Sequence, residues 1–166
     1  MSQARVISNA TILSRAAPIV VQGIAGLRRH VGTTVGSSPW VSVDQASVSR
    51  FGTVTFDRNP LHVDVEAARA AGFDGTIVHG FLSLALVAGL MSSVLRVDHD
   101  GAVLNYGVDR VRFPAPVRVG ARVRLTMAVA VVAEAEHHTD VTYRCVVEVE
   151  GQERPGCVAG LILRYL

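Results

Sequence analysis

Aromatic side chains are scarce in this chain: five Phe, three Tyr and one Trp make up 5% of its 166 residues. A core must then be built mostly of Val, Leu and Ala. Hydrophobic residues are 49% of the composition and charged ones 18%, so there is ample apolar material for one. Charge imbalance is also small. A formal net charge of +2 is too little to imply nucleic acid as a partner, and the arginines are not interleaved with aromatics. Cysteine is limited to Cys145 and Cys157, each inside a predicted strand and neither at a recognisable spacing from a histidine. That excludes a cysteine nucleophile and reads as two reduced, buried thiols in a reducing, cytoplasmic compartment, not as a disulfide. The six histidines form no HExxH or CxxC-type pattern, so neither a metal nor another cofactor is expected. No repeat and no low-complexity tract is present, and the length suits one domain.

Acidic residues are missing before Asp44, whereas Arg5, Arg15, Arg28 and Arg29 are present. The pattern loosely resembles a transit peptide, but an ordinary N-terminal helix over Ile19 to His30, ahead of a Gly32 to Pro39 loop, is the preferred reading. Trp40 and Val41 to Val43 then open the main domain, with a helix capped by Asp44 and running to Phe51.

What is present is concentrated in two segments, FDRNPLHVD (Phe56 to Asp64) and IVHGFL (Ile77 to Leu82). Asp57 and His62 are five apart, a spacing that puts them on different faces of a helix and opposite sides of a strand. They converge only if the chain bends between them. Pro60 supplies the bend by fixing its own backbone angle and pushing Asn59 out of helical space. Asn59 can steady the turn through a local hydrogen bond. Asp64 then caps a short helix, Val65 to Ala71, with Gly72 as its C-terminal stop. A carboxylate and an imidazole near a helix start are what chemistry on a carbonyl compound needs.

The run from Gly80 to Leu95 is apolar almost all round, which predicts a buried helix. It is too short for the ~20 residues of a membrane span and holds Ser83, Gly89, Ser92 and Ser93, so no membrane partner is expected. Strands follow with period-two alternation: Val103 to Phe113, Arg122 to Glu134, Thr139 to Glu150 and Cys157 to Tyr165. In the second, Val123, Leu125, Met127, Val129 and Val131 share one face. One buried helix against an antiparallel meander is an α+β architecture.

These residues carry a family resemblance. FDRNPLHVD followed by AAGFDGTIVHGFL looks like the signature of the MaoC-like (R)-specific enoyl-CoA hydratases. LNYGVDRVRFPAPVRVGARVR, from Leu104 to Arg124, is similar to a single-domain, NodN-like actinobacterial subgroup. The resemblance covers about Trp40 to Tyr165; it leaves residues 1–17 as an extension and 18–166 as one domain. It implies the hot-dog fold, a long central helix wrapped by a curved antiparallel sheet, and a homodimer. It also implies addition of water to a trans-2-enoyl-CoA thioester, giving the (R)-3-hydroxyacyl-CoA product.

On that reading Asp57 is the principal base and His62 its partner on one water. The free N–H of Gly80, at the positive end of the central helix, meets the charge that develops on the thioester oxygen. The glycine lets the substrate approach closely. Asn59, Pro60 and His79 support the site, and Arg110 and Arg112 are weak candidates for the coenzyme A phosphates. A serine that lines the site in some hydratases falls here near Ala88, between Ser83 and Ser92. Ala88 and Gly89 would widen an acyl tunnel. The alternatives are a 3-hydroxyacyl-carrier-protein dehydratase, a hot-dog thioesterase, and a non-catalytic acyl-thioester-binding subunit.

Overall fold

The computed structural model describes residues 17–166. The proposed N-terminal extension, apart from Ala17, lies outside the described residues. From there the chain runs through β1 (Ile19–Gln22), α1 (Gly23–Arg28), β2 (Thr34–Ser37) and the two-residue β3 (Val41–Ser42). Next come α2 (Gln45–Thr55), a 3-10 turn at Pro60–His62, α3 (Val65–Ala70) and α4 (Gly80–Met91). Strands β4 (Leu95–Asp98), β5 (Val103–Arg112), β6 (Arg122–Glu134), β7 (Thr139–Val149) and β8 (Cys157–Tyr165) complete it.

The antiparallel sheet has the order β2-β6-β7-β8-β5, with β3 pairing the far part of β6. The alternation in β7 faces Val141, Tyr143, Cys145, Val147 and Val149 inward, all buried. Facing residues of β6 and β8 join them: Leu125 pairs Val147, and Tyr143 pairs Leu161. Against this surface α4 lays Ser83, Val87, Leu90 and Met91. The central helix wrapped by a curved antiparallel sheet is the α+β hot-dog fold. Inside it the hydroxyls of Tyr143 and Tyr165 satisfy each other at 2.8 Å. Burial, the charge of the neighbouring Tyr165 and that hydrogen bond all push the Tyr143 phenol up. Cys145 and Cys157 are buried free thiols, pushed up to about 12 and about 11 by burial.

Several local readings are corrected. Ile19 to His30 is not one helix. Its β-branched start forms β1, paired parallel with β4, and Gly23 at φ +57° turns the chain into the short α1. The expected Gly32 to Pro39 loop contains β2, with a register shift across Val35 and with Gly36 at φ +145°. The helix from Asp44 runs on past Phe51 to Thr55. The central helix stops at Met91, not Leu95: the Ser92 and Ser93 hydroxyls bond the carbonyls of Gly89 and Leu90, and Leu95 already belongs to β4. Nor is α4 covered on all sides by the described residues, since Phe81 is 67% exposed. In β6 a bulge between Val129 and Val131 reverses the facing, so Val131 is 50% exposed while Val132 packs on the core.

Candidate active site

Helix α2 ends on Phe56 in the left-handed region at φ +61°, a conformation uncommon for a bulky residue. That reversal throws Asp57 off the helix and starts the bend. Asn59 accepts a hydrogen bond from Leu61 N–H at 3.1 Å, and Pro60 opens the 3-10 turn that delivers His62. Asp64 caps α3 through Glu66 and Ala67 N–H, and Gly72 at φ +89° ends it. The chain then returns so that Ile77 N–H donates to Leu61 carbonyl at 3.0 Å. The two motif segments therefore lie side by side.

Asp57, His62 and His79 each bring one donor atom within 4.8 Å of the others. The bend expected between Asp57 and His62 is present and brings the two together. His62 Nδ1 lies 2.7 Å from the Ile77 carbonyl. A carbonyl only accepts, so Nδ1 carries the proton and Nε2 keeps its lone pair free. His79 is 1% exposed, and its Nε2 lies 3.0 Å from the Asp57 backbone carbonyl. By the same logic Nε2 donates, and its Nδ1 is a lone pair without a partner among the described residues. The two imidazoles lie face to face, with centroids 3.7 Å apart and planes 30° apart. The donor atoms of Asp57, His62 and His79 are close enough to meet at one metal ion.

Gly52 of α2 makes this packing possible: a Cβ there would meet the Asp57 carbonyl oxygen at 2.7 Å. Gln45, also on α2, donates to the His62 carbonyl at 2.8 Å and accepts from the buried Thr76 hydroxyl at 2.7 Å. Sequence reasoning missed Gln45, because its partners lie 17 and 31 residues away.

Next to the pair is a cleft of about 320 Å³, bordered by His62, Gly80, Ser83, Phe73, Phe113 and Pro116 among others. Gly80 is the first residue of α4, where an N–H has no carbonyl in its own helix to bond. Ser83, 2% exposed, lies three residues on and so faces the same way. It is the helix serine that reaches the cleft. Ala88 instead borders an apolar pocket of about 220 Å³ with Leu84, Val87 and Val108, and Ser92 is exposed. Gly89 has open space around its α-carbon. Arg110 and Arg112 do not border the cleft. Arg110, at φ +49° in a bulge of β5, edges a separate groove of about 500 Å³ that it shares with Arg144.

The MaoC like domain family matches this sequence over residues 27–150. The chain belongs to the MaoC-like dehydratase family. Membership places it among the hydro-lyases. It is 42% identical to the 3-hydroxyacyl-thioester dehydratase Z of Mycobacterium tuberculosis over 87% of this chain and 97% of that protein. It is 37% identical to the nodulation protein N of Rhizobium leguminosarum bv. viciae, over 84% of this chain and 88% of the relative. The NodN-like character read from Leu104 to Arg124 is thus met by a named relative. Among solved structures, an (R)-hydratase from A. caviae involved in PHA biosynthesis superimposes with a TM-score of 0.66. It is 24% identical and covers 81% of this chain and 98% of its own. That likeness concerns the fold. No helix among the described residues is long and apolar enough to cross a membrane.

Proposed function

We propose that this protein catalyses the (R)-specific hydration of trans-2-enoyl-CoA to (R)-3-hydroxyacyl-CoA, and the reverse dehydration. The observation that carries the reading is the closeness of the Asp57 carboxylate to His62, whose ring borders the cleft that Gly80 also lines. The relationship to a 3-hydroxyacyl-thioester dehydratase supports the same chemistry, since hydration and dehydration share one transition state.

One water bridges Asp57 and His62 Nε2, donating a hydrogen bond to each and leaving an oxygen lone pair for C3. As the C3–O bond forms, Asp57 takes a proton from the water. The C2=C3 electron pair moves towards the thioester, and C2 takes up one proton from the site, so the pair finishes with the protons it began with. Positioned acid/base help of this kind is worth ~10²–10⁴-fold. The charge on the thioester oxygen meets the Gly80 N–H and the positive end of α4. His79 holds the Asp57 carbonyl and stacks on His62; Asn59 and Pro60 hold the turn.

The working unit is a homodimer of residues 18–166. Support comes from the exposed apolar residues Phe81, Val103, Leu104, Tyr106 and Val108 on α4 and β5, and from the outer edge of β5, which has no strand beside it among the described residues. Two buried free thiols support a cytoplasmic location.

The test is loss of the enoyl chromophore with trans-2-enoyl-CoA of several chain lengths, beside Asp57→Ala and His62→Ala. Hydration to the (R) product, reduced by at least ~10²-fold in either variant, is the expected result. Folded wild-type protein that turns over neither coenzyme A nor carrier-protein thioesters would overturn it in favour of an acyl-binding subunit.

A further inference from the structure

The ring of Phe113 lies directly on the α-carbon of Gly80. A Cβ built there would sit 2.9 Å from Cγ and Cδ2 of Phe113 and 3.0 Å from Cε2. The backbone at Gly80 is ordinary helix, absent from the positive-φ glycines, so the conformation alone would admit any residue. The space a side chain would take is therefore filled by an aromatic ring from the end of β5. Phe81 braces that ring edge-on, with centroids 5.8 Å apart and planes 63° apart. Behind it the chain is stiff: Pro114 and Pro116 follow, and the Val117 carbonyl accepts from Val78 N–H at 2.7 Å. The ring is thus held against the start of α4 by two routes, one through Phe81 and one through Val78.

We propose that Phe113 is a positioning residue for the thioester, walling the Gly80 N–H on one side and setting the plane in which the acyl group lies. The inference rests on the hydratase reading above and adds a residue to it. A donor aimed at developing charge is strengthened when water is kept away, because the local dielectric falls. Phe113 borders the same cleft as His62, Gly80 and Ser83, and on this proposal its ring limits the approach of solvent to the N–H. A flat ring also offers a flat, conjugated enoyl thioester one face to lie on. Gly80 and Phe113 are then one device: the glycine exists to admit the ring.

The experiment is steady-state hydration of a trans-2-enoyl-CoA by wild type, Phe113→Ala, Phe113→Leu, Phe113→Tyr, Gly80→Ala and the Gly80→Ala/Phe113→Ala double variant, with thermal melting of each. Phe113→Ala lowers kcat by about 10- to 100-fold with little change in KM, as small misplacements of reacting groups do. Phe113→Leu, which keeps the filling but loses the flat face, falls in between and guards against a variant that does not fold. Phe113→Tyr keeps most of kcat. Gly80→Ala is nearly inactive, and adding Phe113→Ala to it raises activity, because the new methyl then has room. Active wild type with kcat unchanged in Phe113→Ala and Phe113→Leu, whatever their melting temperatures, overturns this proposal alone. So does a double variant no better than Gly80→Ala. Wild type inactive on every thioester overturns the hydratase reading, and this one with it.

Discussion

His62 and His79 stack face to face with their rings 3.7 Å apart, and each is tied to a different backbone carbonyl through a different nitrogen. His62 uses Nδ1 and His79 uses Nε2. The pair is therefore held in opposite tautomers by main-chain groups. This leaves a basic lone pair on His62 Nε2 and a buried one on His79 Nδ1.

Nitrogen-15 NMR of the two imidazoles checks that assignment. In the neutral rings, His62 gives the pattern of a proton on Nδ1 and His79 that of a proton on Nε2. A proton on Nε2 of both rings would remove the His62–Ile77 bond and with it the argument for His62 Nε2 as a water acceptor.

Gln45→Ala tests the strut beneath the site. It leaves the His62 carbonyl and the Thr76 hydroxyl without their partner, at a cost of about 1–3 kcal/mol in unfolding free energy by urea titration. Because His62 is displaced, kcat falls more than KM rises.

Ser83→Leu narrows the cleft beside Gly80 and His62. Overfilling a packed site costs about 1–3 kcal/mol, so KM for enoyl thioesters rises roughly tenfold or more. Ser83→Ala, which only removes the hydroxyl, stays closer to wild type.

Much of this site was legible locally. The Asp57–Pro60–His62 bend, the Asp64 cap and the Gly72 stop each depend on residues within a few positions of one another, and the expected local chemistry is what the chain adopts. Several of the errors share one cause, a partner far along the chain. Ile19 to Gln22 read as helix because the strand that makes them β, Leu95 to Asp98, is not nearby in sequence. Val131 read as inward because a bulge adds one residue without changing the apolar pattern. The ring packed on Gly80 was not foreseen because it arrives from Phe113. Ser83 had a usable signal, its three-residue spacing from Gly80, which the search for a serine two turns along passed over.

The outer face of the sheet sets an acid response. Thr126 donates to Glu148 at 2.5 Å and Arg124 at 2.8 Å, and these bonds hold the Glu148 carboxyl below its usual range. A depressed carboxyl contributes stability above its unfolded value of 4.5, lost as the pH falls through the lower folded value. The urea midpoint therefore drops as the pH falls below about 4.5, and Glu148→Gln, already weaker at pH 7, shows a shallower drop.

Burial raises both thiols well above neutrality, so Cys145 and Cys157 resist a thiol reagent at pH 8 in the native protein. Two equivalents react once urea unfolds it. Prompt reaction of either in the folded protein would mean the core under β7 and β8 opens readily.

Strand β5 has a neighbour on one side only among the described residues, yet it carries Phe113 at its end. Edge strands open more readily than central ones, so amides of β5 should exchange with deuterium sooner than those of β7. The wall beside Gly80 is thus hung on an edge strand of the sheet. If the proposed dimer pairs on that edge it stiffens the wall, and dilution that frees the edge slackens it. Specific activity would then fall with protein concentration through the motion of one ring.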